Sequence, residues 1–220
     1  MKITDGKIKH ICFDLDGTLV ESRETIYKTT VKALSKVGIN TYMPEDEFND
    51  MIGMHFIDMF ERLNVDLKDF DEFIGIYKRM YFEFINESKL YPGVEEILSY
   101  LSNGKNIKVS LLTTKGQDQA EKIITHFKLD KYFDYIMGRR EGVAHKPSAE
   151  PLQLICKDLD IETKETMMVG DTELDIGCGK NAGAYTCAVS YGYRTKESLR
   201  NVNPDFLIDN LNELQNLLNA

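Results

Sequence analysis

Ile8-Lys9-His10-Ile11-Cys12-Phe13-Asp14-Leu15-Asp16-Gly17-Thr18-Leu19 decides the fold. An apolar run ends in two carboxylates separated by one residue. In an extended chain, side chains two apart point the same way. Gly17 lets the backbone turn sharply, and Thr18 supplies a hydroxyl able to hydrogen-bond inside that turn. The run therefore predicts a buried strand, and the turn gathers two acidic groups at one point with room for a metal ion and a reacting centre. An Asp-x-Asp triplet alone suits a strand-end loop with surface acids just as well, so the remainder of the chain has to decide.

Outward from this strand the sequence divides into blocks. From Val20 to Leu90 the pattern is helical and no strand pattern interrupts it. Ile26, Thr30, Ala33, Leu34 and Val37 recur at helical spacing, with Gly38 as a stop signal. Pro44 opens a second helix running into Met51-Ile52, Phe56, Met59, Phe60 and Leu63 continue the period, and Phe70 to Ile85 predicts one long amphipathic helix. Beyond Tyr91-Pro92-Gly93 the chain alternates. Strands are expected at Ile107–Leu112, Tyr135–Met137, Thr166–Val169, Tyr185–Val189 and Phe206–Ile208. Helices are expected at Val94–Leu101, Gln117–Phe127, Ala149–Leu159, Leu174–Ala182 and Leu211–Leu218. Such alternation predicts an α/β fold: a Rossmann-like parallel sheet with helices on both faces. The first strand belongs to that sheet, so the core comprises residues 1–19 and 91–220, and residues 20–90 form an inserted all-helical cap.

Composition narrows the function. The chain has 220 residues, 42% hydrophobic and 29% charged, as expected of a soluble globular protein. No apolar stretch is long enough to span a bilayer, and Met1-Lys2-Ile3-Thr4-Asp5-Gly6 lacks the apolar core of an export signal, so a cytoplasmic protein without a membrane partner is expected. The net charge of −9 argues against nucleic acid as a partner. It leaves room for a small anionic substrate, because local cations and a metal can dominate a pocket. Cys12, Cys156, Cys178 and Cys187 contain no Cys-x-x-Cys pair and are expected to be reduced and buried.

In an open parallel sheet, ligands bind at the carboxyl ends of the strands where the strand order reverses. Those ends carry a consistent set of groups. Thr113-Thr114-Lys115-Gly116 is expected to open a helix, and a hydroxyl beside free main-chain N–H groups is a good phosphate cradle, although read alone Thr113 is better taken as a simple N-cap. In His145-Lys146-Pro147-Ser148, Pro147 fixes Lys146 just before a helix, where an ammonium could pair with an anionic ligand and a carboxylate together. In Gly170-Asp171-Thr172-Glu173-Leu174-Asp175, Asp171 ends a strand and Asp175 lies four residues on, so both can face one site while Glu173 points elsewhere.

Taken together, in this order, these motifs resemble the haloacid dehalogenase-like hydrolase superfamily, over essentially the whole chain. Asp14-Leu15-Asp16-Gly17-Thr18-Leu19 matches its first motif, Thr113 its second, Lys146-Pro147 its third, and Gly170-Asp171-x-x-x-Asp175 its fourth. The helical insertion resembles the cap of the phosphoglycolate phosphatase-like members. Three positions depart from the common pattern: Thr114 where Asn is frequent, Ala149 where a second proline is frequent, and Glu21 where Asp is frequent. None removes a catalytic group.

The resemblance implies a Mg²⁺-dependent phosphatase acting on a small phosphorylated metabolite, as a monomer or homodimer. Asp14 would be the nucleophile, and Asp16 the acid that protonates the leaving oxygen and then the base that activates water. Asp14, the main-chain carbonyl of Asp16 and Asp171 would hold Mg²⁺, with Asp175 supporting them, and Thr113, Thr114 and Lys146 would bind the transferring group. Asp16 disfavours a dehalogenase, whose halide leaves without an acid. The cap would exclude bulk water and select the substrate, with Arg23 and His55 as contacts beside their ordinary reading as helix-surface residues. A β-phosphoglucomutase-like mutase and an inorganic pyrophosphatase on the same fold are the alternatives. The mutase ranks lower because Gly53-Met54-His55-Phe56-Ile57 has no arginine. Lys28, Lys32 and Lys36 fit a solvated helix face better than the Schiff-base role of a phosphonatase.

Overall fold

The computed structural model describes residues 7–104 and 107–219. The opening segment 1–6, from which no export signal is expected, lies outside them. In chain order the elements are β1 (His10–Phe13), β2 (Val20–Glu21), α1 (Arg23–Lys36), α2 (Glu45–Asp50), α3 (Phe56–Arg62), α4 (Phe70–Tyr81), β3 (Lys89–Leu90), α5 (Val94–Gly104), β4 (Lys108–Gly116), α6 (Gln117–His126), β5 (Tyr135–Arg139), α7 (Glu150–Asp158), β6 (Thr166–Gly170), α8 (Glu173–Ala182), β7 (Tyr185–Val189), α9 (Lys196–Asn201), β8 (Phe206–Ile208) and α10 (Glu213–Leu218). They group into two compact units, Met1–Leu19 with Leu90–Ala220, and Val20–Lys89.

The larger unit is a six-stranded sheet in the order β5-β4-β1-β6-β7-β8. Every strand pair in it is parallel. Strand alternation sorts its side chains. Cys12, Leu112, Met137 and Met168 pack with Leu152, Ile155 and Cys156 of α7 and with Cys178 and Ala182 of α8. Ile11, Phe13, Val109, Leu111, Met167 and Val169 occupy the alternate positions and are fully buried on the opposite face. Each such aliphatic or aromatic side chain contributes about 1.5–3 kcal/mol on leaving water. β1 lies at the centre. The chain moves from it through β4 to β5 at one edge, then returns to β6 and proceeds outward through β7 to β8. The order thus reverses beside β1, and the carboxyl ends of β1, β4 and β6 lie side by side.

Three expectations need correction. The segment Thr113–Gly116 does not open a helix: β4 continues through Gly116 and α6 starts at Gln117. The pairing of β4 with β5 slips between Leu112 and Gly116, and this bulge carries the strand past its expected end. The helix predicted over 70–85 stops at Tyr81 and is followed by a short 3-10 turn, Ile85–Glu87. The block expected to be wholly helical is bracketed by β2 and β3, which pair as a two-residue ribbon too short to leave an alternating pattern.

The smaller unit packs around aromatic rings. Phe60 and Phe73 meet edge-to-face at 5.0 Å, and Phe56 meets Tyr77 at 4.8 Å. His55 caps α3 by accepting the Ile57 amide and lies against Phe70 at 5.3 Å, so its ring has a structural use there. Among the described residues, no helix is long and apolar enough to cross a membrane. All four cysteines are buried free thiols.

Candidate active site

Asp14 follows β1 directly, and its amide donates to the Val169 carbonyl at 2.9 Å, extending the ladder by one residue. The chain then tightens: the Leu19 amide donates to the Leu15 carbonyl at 2.9 Å, and Gly17 sits at φ +84°, a conformation that glycine adopts without strain. Thr18 Oγ1 donates to Asp171 Oδ1 at 3.3 Å, so the turn after β1 is tied to the end of β6.

Asp171 is fully buried. Its Oδ2 accepts the Tyr193 amide at 2.7 Å. The space around it is tight. A Cβ on Gly17 or Gly192 would collide with the Asp171 side chain, and one on Gly192 would also lie 2.5 Å from the Gly17 carbonyl oxygen. Asp175, also fully buried, accepts from the Thr172 amide at 3.0 Å and from the Thr172 hydroxyl at 2.7 Å, both at Oδ2, closing the first turn of α8 as a capping box. Its Oδ1 faces Lys146 Nζ at 2.5 Å, and the same ammonium lies 2.5 Å from Asp14 Oδ1. Lys146 precedes α7 by several residues, and Asn181 Nδ2 donates to the neighbouring Pro147 carbonyl at 2.9 Å, pinning the loop.

One oxygen from each of Asp14, Asp171 and Asp175 lies within 4.8 Å of the others. Two of these buried carboxylates, Asp14 and Asp175, share one buried ammonium, that of Lys146. Burial, opposed by the Lys146 charge and reinforced by Asp175 and Asp16, raises the Asp14 carboxyl. Burial likewise raises Asp171 well above the ordinary range, with the charges of Asp14 and Asp175 adding to it. Burial works against the Lys146 ammonium, but Asp14 and Asp175 outweigh it and hold the proton more tightly than usual. Fully ionised, the three carboxylates would carry more negative charge than Lys146 neutralises, and this repulsion together with burial favours the protonated forms of Asp14 and Asp171. A closely spaced set of hard oxygens whose joint ionisation needs added positive charge could hold a divalent cation.

The expected residues do not all meet in one place. Asp16 points its carboxylate to Lys115, Oδ2 to Nζ 3.2 Å. It is not one of the three clustered carboxylates, whereas Asp175 is. Thr113 is buried within β4 and accepts the Lys115 amide at 3.2 Å, with half-buried Thr114 beside it. Because Leu111 is level with Phe13, Thr113 comes level with the residues just past Asp14. Glu173 turns away and pairs with Arg194 at 2.8 Å. His10 is a core residue between Thr166 and Ser110, and His145 is exposed.

Sequence reasoning missed Tyr193, Gly192, Thr172 and Lys115. The Thr172-x-x-Asp175 spacing is a capping-box signature that could have found Thr172. A main-chain donor such as Tyr193 leaves no side-chain signal.

Comparison with known proteins bears on the family and the fold. The haloacid dehalogenase-like hydrolase family model matches residues 11–189. Pyrophosphatase PpaX of Bacillus mycoides (strain KBAB4) is 33% identical over 213 residues, spanning 96% of this chain and 97% of that protein. Among solved structures, a predicted phosphatase from Clostridium acetobutylicum aligns with a TM-score of 0.82 at 30% identity, over 97% of this chain and 99% of that one. A predicted phosphoglycolate phosphatase from Haemophilus somnus 129pt aligns with a TM-score of 0.81 at 26% identity, over 96% and 98%.

Proposed function

The chain belongs to the haloacid dehalogenase-like hydrolase family, and from that premise we propose that it is a Mg²⁺-dependent phosphatase that hydrolyses a small phosphomonoester of the phosphoglycolate type through an aspartyl-phosphate. The observation that carries this reading is the buried Asp14–Lys146–Asp175 chain beside Asp171. A carboxylate at the end of a central strand, oriented by a fixed ammonium, suits a nucleophile that must attack along one line.

Asp14 attacks phosphorus through a carboxylate oxygen, and the bond from phosphorus to the leaving oxygen breaks. Asp16 gives its proton to that oxygen. A water then attacks the aspartyl-phosphate, Asp16 takes its proton, and phosphate leaves with Asp14 restored. Thr113, Thr114 and Lys146 bind the transferring oxygens. Asp14, Asp171 and the Asp16 main chain hold the cation, and Asp175, whose two oxygens already serve Lys146 and Thr172, orients its neighbours. When bound, Mg²⁺ supplies neutralising charge to the phosphoryl oxygens.

Substrate selection is assigned to the helical unit, residues 20–89. The buried free thiols support a reducing compartment, the cytoplasm. We place no nucleic acid or membrane among the partners, and the working unit is a monomer or homodimer.

A second reading, hydrolysis of inorganic pyrophosphate, is favoured by the relative named as a pyrophosphatase, which matches over nearly its whole length. Phosphate release from a panel of alkyl phosphates and pyrophosphate, with Mg²⁺ or EDTA and with Asp14→Asn as control, separates the two. The leading reading expects Mg²⁺-dependent turnover of an alkyl phosphate that the control lacks. Release from pyrophosphate alone selects the second reading, and release that survives Asp14→Asn refutes both.

A further inference from the structure

We infer that Lys115 is a positioning residue for the acid–base carboxylate: its ammonium holds the side chain of Asp16 in place for proton transfer. The inference rests on the roles proposed above for Asp14 and Asp16. The two side chains meet at 3.2 Å and are almost enclosed, Lys115 at 8% exposure and Asp16 at 11%. They come from the segments following β1 and within β4, adjacent strands of the sheet.

Lys115 reaches this position because of the bulge. Between Leu112 and Gly116 the β4–β5 register slips, which frees the intervening residues from a strict up-and-down alternation. Within the bulge the Lys115 amide is anchored on Thr113 Oγ1 at 3.2 Å. One residue therefore fastens its main chain to the proposed phosphate-binding threonine and its side chain to the proposed acid. The two lysines divide the acids between them: Lys146 serves Asp14 and Asp175, and Lys115 serves Asp16. An aspartate on a glycine turn otherwise has several rotamers open to it, and an enclosed charge partner selects one. Proton transfer requires the carboxylate within hydrogen-bond reach of the leaving oxygen, so loss of that one rotamer costs rate at the step that needs an acid.

This predicts a dependence on the leaving group that a general structural defect does not give. An alkoxide leaves poorly without a proton, whereas p-nitrophenolate leaves well without one. The test measures kcat/KM, which reports the phosphoryl-transfer step, for the best alkyl phosphate of the panel and for p-nitrophenyl phosphate. Their ratio is independent of the folded fraction of the enzyme. In Lys115→Met the alkyl-to-aryl ratio is expected to fall about tenfold or more. Lys115→Arg, which keeps the charge, restores most of it. In an Asp16→Asn background, where the ratio is already low, adding Lys115→Met leaves it unchanged within about twofold, as two residues acting through one group require. An unchanged ratio in Lys115→Met, with both substrates slowed alike, overturns the inference while leaving the phosphatase reading intact. A wild-type protein that turns over no alkyl phosphate, or whose turnover survives Asp14→Asn, overturns that reading and this inference with it.

Discussion

The main-chain amide of Tyr193 donates to Asp171 Oδ2 at 2.7 Å, although 22 residues separate them in sequence. The loop after β7 thus closes over the carboxylate that ends β6, and Gly192 lets it come that near. Gly192→Ala is expected to push the loop off Asp171, with a loss of about 1–3 kcal/mol in urea unfolding and a fall in phosphate release. Unchanged unfolding would mean that the loop yields freely.

Lys146 is the shared counter-charge of two buried carboxylates. Lys146→Met strands that negative charge, at an expected cost of about 3–5 kcal/mol in unfolding free energy. Turnover should drop by about a hundredfold or more, because the ammonium also meets the phosphoryl group in the proposed mechanism. Parallel denaturation and phosphate-release measurements check both effects.

Metal binding should be visible without catalysis. Mg²⁺ at roughly a hundredfold excess over its Kd is expected to add about 2.7 kcal/mol to stability, read as a rise in Tm, and EDTA reverses it. Asp171→Asn removes one of the carboxylates from the cluster and should abolish most of that rise. A Tm indifferent to Mg²⁺ in the unsubstituted protein contradicts the assignment.

His10 provides a pH signature. Burial, only partly opposed by Asp134, lowers its pKa to about 4 from 6.5. Between those values the unfolded chain holds a proton that the folded protein refuses, so stability falls as pH drops through 6.5 toward 4. The span amounts to about 3 kcal/mol. The raised carboxyls of Asp14 and Asp171 act in the opposite sense, so the comparison with His10→Asn isolates the histidine. Urea unfolding at pH 7 and pH 4.5 should show a smaller acid loss in the variant, and an equal loss refutes the assignment.

The parallel sheet was legible because Ile11-Cys12-Phe13 and Met167-Met168-Val169 are short buried runs between helical periods, and because Asp14 and Asp171 stand immediately behind them. The β4 bulge was not legible, since it is a mismatch with β5 and neither strand carries it alone. The end of α4 was hidden by Phe82 and Phe84, which prolong the aromatic pattern where no glycine or proline interrupts it. α9 gave no usable period because Leu199 is its one buried residue. At the site, the carboxylates and Lys146 announced themselves by type and spacing. The partnership of Asp16 with Lys115 arises where the turn after β1 meets the bulged end of β4 and belongs to neither segment.

The central place of β1 also has a meaning for biosynthesis. It is made first, yet its neighbours arrive far later: His10 meets Ser110 across 100 residues and Thr166 across 156. Until both are made, the ladder edges of an apolar strand have no partner, a state that invites association between nascent chains. Asp14, the proposed nucleophile, is therefore translated early and assembled late. The growing polypeptide acquires its chemistry only when synthesis has passed β6 and the loop bearing Tyr193, and until then Ile11-Cys12-Phe13 is the segment that a folding helper would have to shield.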